Sequence, residues 1–387
     1  MAAAITYERI GRFTRAMHCE IEFLPVGEAS KAGDAIVVRY GAVNAYELMI
    51  VDGGNLDSGK LLVEHVRQEF GYNAFISHVV LTHSDADHAS GLREVLRELP
   101  VANLWLHIPW LLAAEARHLF KDKRWTEDGL CEAIKKEYDV ISEIIDLAIA
   151  AKCNIYYPFQ GCNIGPFRVL SPTRYAYLHL LPQFDKTPDP DQELLEAARM
   201  WLGKQPSLVL RLLEKMLAKA QKWIGESWEF ERLKDGGVTS AINETSVVLY
   251  GSFENNNQVL LTGDAGVNAL TWAADYAEAS GLPMRQFSFV QIPHHGSRRN
   301  VGPTILNRLL GPIQAAGSLP RFSAFVSAPK DDDTHPRKMV LNAFMRRGGR
   351  VIATQGLKKV FWGGFPVRPG YVAAEAMPFA SQVEEYD

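Results

Sequence analysis

Short apolar runs alternate with amphipathic stretches along most of the chain. Cys19–Phe23, Ala35–Tyr40 and Glu47–Val51 read as strands, the third ending in Asp52-Gly53-Gly54. Apolar residues at helical intervals (Leu61, Leu62, Val66, Phe70) predict a helix over Gly59–Phe70. The β-branched run Ile76–Leu81 predicts a buried strand, Ala89–Leu99 a helix and Leu104–Ile108 a further strand. Strands return at Asn154–Tyr157, Phe167–Leu170, Ser246–Tyr250, Val259–Thr262, Phe287–Ile292, Ala324–Ser327 and Arg350–Ala353. Alternation of this kind points to an α/β fold. Two stretches depart from it. Residues 110–152 carry apolar side chains at helical spacing (Ile134, Tyr138, Ile141, Ile144, Ile145), and Glu193–Trp223 reads as one or two helices broken at Gln205-Pro206. The expected organisation is one domain over 1–387 with helical insertions at about 110–152 and 190–235.

Four of the predicted strands stop at polar clusters. Met49–Val51 leads to Asp52; Ile76–Leu81 leads to Thr82-His83-Ser84-Asp85-Ala86-Asp87-His88; Val259–Leu261 leads to Thr262-Gly263-Asp264; Val290–Pro293 leads to His294-His295-Gly296-Ser297. Strand ends are where α/β proteins assemble sites from segments distant in sequence. Neighbouring carboxylates repel and are costly to bury, so a positive charge belongs among them. Imidazole nitrogen and carboxylate oxygen, without cysteine, suit zinc, manganese or iron at a hydrolytic centre.

HSDADH resembles the His-x-His-x-Asp-His metal motif of the metallo-β-lactamase superfamily. Asp85 at the second ligand position is similar to the branch typified by the ComEC competence proteins. EIEFLPVG, GDAIVVRYG (with Asp34), VDGG, NETSVVL, VLLTGD, PHHGS and His335-Pro336 follow in that branch's order. The resemblance implies a four-layer αββα metallo-β-lactamase sandwich and two divalent metal ions, zinc before manganese. It assigns His83 and Asp85 to one ion, Asp87 and His88 to the other, and Asp264 to a bridge between them. One histidine of the His294-His295 pair completes the second site; His295 is favoured, which leaves His294 facing the substrate. Asp52 and Asn243 are expected to support the ligands from behind. No histidine stands where the wider superfamily supplies one before its GD motif; His107, His118 and His179 lie in that interval and are read as structural.

The implied chemistry is metal-dependent hydrolysis by an activated water, most simply of a phosphodiester. Asp87, His294 and His335 are the candidate catalytic groups, His335 for leaving-group protonation or phosphate contact. The formal net charge is −4, yet residues 284–368 hold 14 Lys and Arg against three acids, Asp331, Asp332 and Asp333. That asymmetry hints at an anionic ligand, with Arg298, Arg299 and Lys330 as candidate phosphate contacts. A nuclease acting on DNA, or on RNA, is the first reading. A small phosphodiester or lactone hydrolase is the second, and a non-catalytic partner subunit of a multi-protein system, docking through the helical insertions, is the third.

Cys19, Cys131, Cys153 and Cys162 show no CxxC spacing, residues 1–16 lack the apolar region of a signal peptide, and no apolar run approaches a membrane span. A soluble, cytoplasmic protein is expected.

Overall fold

The structure, a computed structural model, describes residues 17–27, 33–196, 226–330, 332 and 334–386. Its strands in chain order are β1 (His18–Phe23), β2 (Ala35–Ala42), β3 (Ala45–Gly53), β4 (Ile76–Val80), β5 (Val101–Trp105), β6 (Asn154–Tyr156), β7 (Asn163–Ile164), β8 (Phe167–Ser171), β9 (Val248–Ser252), β10 (Gln258–Leu261), β11 (Phe289–Gln291), β12 (Phe322–Val326), β13 (Gly349–Ala353) and β14 (Lys359–Gly363). They form two sheets of seven described strands, ordered β14-β1-β2-β3-β4-β5-β6 and β13-β12-β11-β10-β9-β8-β7.

Strand composition explains the layers. In β2, Ile36, Val38 and Tyr40 point into a core shared with Phe167, Leu249, Phe289 and Phe325 of the second sheet. Val37 points the other way, toward Leu62, Val66 and Leu92 of the covering helices. A strand buried on both faces must be apolar at successive positions, which is the IVV run. The second sheet is covered likewise by helices Val267–Ala279, Pro303–Leu310 and Lys338–Arg346, through Leu270, Ile305 and Phe344. The architecture is therefore the four-layer αββα sandwich.

Strand β1 departs from this pattern. Cys19, Ile21 and Phe23 face the inter-sheet core, but Glu20 and Glu22 are fully buried on the other face. Arg39 pairs with Glu20 at 2.9 Å, and Arg368 pairs with Glu20, Glu22 and Glu69 at 3.1, 2.6 and 2.7 Å. Burial is tolerable because each carboxylate meets a cation.

The first insertion forms helices Pro109–Ala116, Glu127–Lys135 and Asp139–Ala150, which add Leu112, Leu130, Ile134, Ile141 and Ile144 to the outer core of the first sheet. Of the helices expected over 193–223, with Met200, Trp201, Met216 and Trp223, residues 197–225 lie outside the described residues. Residues 226–235, expected within a helical insertion, contain no helix. They are fastened to helix Lys338–Arg346 instead: buried Arg346 pairs with Glu226 at 2.6 Å, and buried Arg347 with Glu231 at 2.7 Å.

Strands β3 and β4 run parallel in one sheet, β10 and β11 in the other, so their C-terminal ends can meet at one edge of the sandwich. A bond across that edge, from Val247 N–H to the Thr82 carbonyl at 3.0 Å, ties the two sheets. The segment after β4 sits unusually close to its neighbours. Gly91 donates its N–H to Gly54 O at 2.9 Å. A Cβ on Gly91 would stand 1.9 Å from Gly53 O, and one on Gly59 would stand 2.4 Å from the Gly91 Cα. Gly91→Ala is expected to destabilise the protein by about 1–3 kcal/mol or more through overpacking. Urea unfolding measures it; an unchanged midpoint would show that this close approach is not required.

Candidate metal centre

Asp52 closes β3 with φ 57°, in the left-handed region that non-glycine residues rarely adopt. This conformation brings a fully buried carboxylate under the next strand's end. Its Oδ1 accepts the Thr82 backbone N–H at 2.7 Å, and its Oδ2 accepts the Thr82 hydroxyl at 2.7 Å and His88 Nδ1–H at 2.8 Å. Since the Thr82 hydroxyl donates to Asp52, its oxygen is left to accept from His83 Nδ1–H, 2.9 Å away. One carboxylate thus fixes the tautomer of both rings, His88 directly and His83 through Thr82.

Both Nε2 atoms then point at one place. His88 Nε2 lies 3.5 Å and His83 Nε2 3.9 Å from Asp264 Oδ2, and His83 Nε2 lies 3.6 Å from Asp85 Oδ2. The rings are 4.3 Å apart. His83 Nε2, His88 Nε2 and Asp264 Oδ1 are buried and have no hydrogen-bond partner among the described residues. Three orphaned polar atoms on one spot would each cost about 1–3 kcal/mol. A divalent cation satisfies all three, and the donor set fits one.

Asp264 follows β10 and is 3% exposed. Its position is held from outside the sequence motifs. Gln291 Oε1 accepts the N–H groups of Thr262 and Gly263 at 2.9 and 3.2 Å, Gln291 Nε2 donates to Asp34 Oδ2 at 2.7 Å, and Asn300 Nδ2 donates to the Asp264 carbonyl at 2.7 Å. Glu244 of the NETS stretch supports the same loop by accepting Ala269 N–H at 2.7 Å, near the start of helix Val267–Ala279.

His294 and His295 both adopt positive φ, 46° and 53°. His295 Nδ1–H donates to the Ser327 carbonyl at 3.1 Å. Ligand atoms of His295, His88 and Asp87 lie within 4.8 Å of one another, as do those of Asp34, His88 and Asp264. Asp52 forms a third such set with His83 and His88, but its oxygens already accept three bonds and it acts as the orienting group. His294 Nδ1 stands 3.1 Å from Asp264 Oδ2 and accepts from Asn243 Nδ2 at 2.6 Å. The His335 ring is 6.5 Å from that of His294, with Nδ1 3.4 Å from Asp332 Oδ2.

The remaining candidates lie farther out. Arg299 and Lys330 are exposed. Arg298 turns to the C-terminal segment, donating to the Glu385 carbonyl at 2.7 Å and stacking 4.7 Å from the Tyr386 ring. His107 packs between Phe159 and Tyr177, at 4.7 and 4.5 Å, and His118 is exposed. His179 Nδ1 stands 2.8 Å from the Tyr175 carbonyl. Thr82, Gln291 and Asp34 were not singled out as site residues from sequence. The signal was a glutamine inside the apolar run FSFVQIP, which must find partners once buried.

Charge follows this geometry. Burial works to lower the His88 proton affinity, but the Asp264 and Asp52 carboxylates reverse it and hold the ring well above the usual histidine range. Burial works to raise Asp264, and the His294 and His88 rings overcome it, holding that carboxyl well below the usual range. Asp34 goes the other way, raised by burial against the opposing pull of His88 and His295. Protons on His83 and His88 thus offset the neighbouring carboxylates, and a cation would take over that role.

Residues 34–141 match the family model of the metallo-beta-lactamase superfamily. No curated protein matches the chain. Among solved structures it is similar to unliganded yeast PDE1 (12% identity, 89% of this chain and 99% of that one, TM-score 0.44). It is also similar to the metallo-beta-lactamase fold protein YhfI from Bacillus subtilis (10%, 89% and 100%, 0.38) and to a long form RNase Z from yeast (10%, 94% and 40%, 0.33). The HSDADH loop lies inside the segment that matches the metallo-beta-lactamase superfamily model. Among the described residues no helix is long and apolar enough to cross a membrane.

Two outcomes are expected. Asp52→Asn lowers zinc affinity about 10- to 100-fold with the fold kept, because both rings lose their orienting acceptor; chelator competition measures it, and equal affinity in both proteins would reject the relay. Because His88 holds its proton to higher pH than a free imidazole, metal affinity rises with pH through and beyond the usual histidine range. The same competition between pH 6 and about 9 reads this, and a flat profile would contradict it.

Proposed function

We propose that the chain is a metal-dependent phosphodiesterase, a nuclease acting on DNA or RNA, in which His83 and Asp85 would hold one ion, Asp87, His88 and His295 would hold a second, and Asp264 would serve both. The observation that carries the reading is the convergence of two tautomer-locked, unpartnered imidazole nitrogens on an unpartnered buried carboxylate oxygen. When bound, two divalent ions, zinc or manganese, supply Lewis acidity toward a phosphoryl group and make water nucleophilic at neutral pH. The chain's own groups do the rest. Asp52 and Thr82 hold both rings with Nε2 turned to the centre. Asp87 is assigned to the reacting side with His88 and His295. Asn243 steadies His294, which faces the substrate. His335, which burial keeps below the usual histidine range, is assigned proton transfer to the leaving oxygen. Arg299 and Lys330 are the phosphate contacts this reading uses.

A second reading, a small phosphodiester as substrate, draws on the basic segment. Nine of its 14 cations are already engaged. Arg308, Arg346, Arg347, Lys358 and Arg368 pair with acids. Arg285, Arg298, Arg321 and Arg350 donate to backbone carbonyls. The sequence count therefore overstates any basic track for a long polyanion.

The test is turnover of linear, circular and single-stranded DNA, RNA and a chromogenic phosphodiester by metal-reconstituted protein. Asp87→Ala and His88→Ala are expected to reduce it to the rate of the metal-free protein with the fold retained. Full activity in either purified variant rejects the site. Turnover of the small diester alone selects the second reading.

A further inference from the structure

A further buried carboxylate enters the same sheet edge. Asp34 stands just before β2, and the next residue, Ala35, is the register partner of Gly53 at the end of β3. Asp34 therefore arrives beside Asp52. Gly33 permits the approach: a Cβ there would stand 1.7 Å from the Asp87 carbonyl oxygen, so the chain before β2 lies directly against the ligand loop.

Asp34 is 3% exposed, yet among the described residues a single donor reaches its carboxylate, Gln291 Nε2 at 2.7 Å from Oδ2. Asp52, also buried, takes three. One neutral amide falls short of what a buried carboxylate with about four acceptor sites requires. The rest of its surroundings is the centre itself. A carboxylate oxygen of Asp34 and ligand atoms of His88 and Asp264 all lie within 4.8 Å of one another. His88 Nε2 and Asp264 Oδ1 are buried there without a partner, and His88 Nδ1 is already taken by Asp52. Two carboxylates this close repel, and a divalent cation between them removes the repulsion. His88 also belongs to the set with Asp87 and His295, so the ion those three would hold has Asp34 within reach. The Gln291 amide suits such a role, because ligating carboxylates are themselves held by hydrogen bonds.

We infer that Asp34 is a further ligand of this second ion and biases its position toward manganese relative to zinc. With Asp34 the donors offered are Asp34, Asp87, Asp264, His88 and His295, three carboxylates and two imidazoles. Catalytic zinc takes about three protein ligands besides water, whereas sets rich in carboxylate and of higher coordination suit manganese. The inference rests on the two-ion reading of the centre, and its test separates the two. Asp34→Asn keeps an oxygen for the Gln291 amide and removes the charge. Chelator competition on metal-free protein, run separately with manganese and with zinc, reads the result. In the variant one of two manganese ions is expected to be held more than about 100-fold less tightly, a larger loss than an outer support gives. Zinc at that position is expected to lose only about tenfold. Equal losses for both metals would make Asp34 a positioning residue acting through Gln291, and unchanged manganese affinity would remove it from the centre; either overturns the inference. A second measurement needs no variant. In crystals of the parent protein loaded with manganese, an Asp34 oxygen is expected at roughly 2.2 Å from an ion. Two bound ions with Asp34 beyond bonding distance of both would overturn the inference and leave the two-ion reading standing. A parent protein that binds no metal would overturn both. Manganese held by Asp34 in a protein that hydrolyses no diester would uphold the ligand and remove the phosphodiesterase reading.

Discussion

Everything at the sheet edge depends on one buried carboxylate. Asp52 accepts from Thr82 twice and from His88 once, and through the Thr82 hydroxyl it reaches His83. Without an acceptor behind them, two adjacent imidazoles could present either nitrogen to the centre. With it, both Nε2 atoms face Asp264, which the other sheet supplies. The backbone is in the left-handed region at Asp52, as it is at His294 and His295, and at Asp52 three hydrogen bonds to the carboxylate hold it. Preorganisation of this kind lets the chain keep orphaned polar atoms aimed at one point, where a cation would be held.

The sequence made the framework legible where polarity changed sharply. Strands ending in Asp52, His83, Asp264 and His294 stood out because ligand-type side chains interrupt apolar runs at their ends. Other elements gave weaker signals. Helix Val267–Ala279 was not expected: its buried face is mostly alanine (Ala269, Ala273, Ala274, Ala277), which blurs the contrast on which periodicity relies. Helices Arg174–Leu180, Pro303–Leu310 and Lys338–Arg346 were also missed, as were β7 and β14, strands of two and five residues at the sheet ends. The helix read as Ala89–Leu99 is two helices, Ala86–Ala89 and Leu92–Glu98, divided where Gly91 meets Gly54.

The ligand motifs were legible at the site, but their support was not. Thr82 and Gln291 are not ligand types, and Asp34 sits far upstream; only the fold shows that they hold His83 and the Thr262–Gly263 turn. Charge was the most misleading quantity along the chain. The basic stretch 284–368 finds its acids at Glu20, Glu22, Glu69, Glu226 and Glu231, far away in sequence and adjacent in space. A local excess of arginine therefore marks the joints that fasten the C-terminal third to the rest of the sandwich more than it marks a binding face.

The most direct measurement is diffraction at a metal absorption edge from crystals grown with saturating zinc or manganese. The account predicts two anomalous peaks among His83, Asp85, Asp87, His88, Asp264 and His295, with the bonds from the two imidazoles to Thr82 and Asp52 intact. A map blank between those side chains, or metal found only elsewhere on the protein, would contradict it.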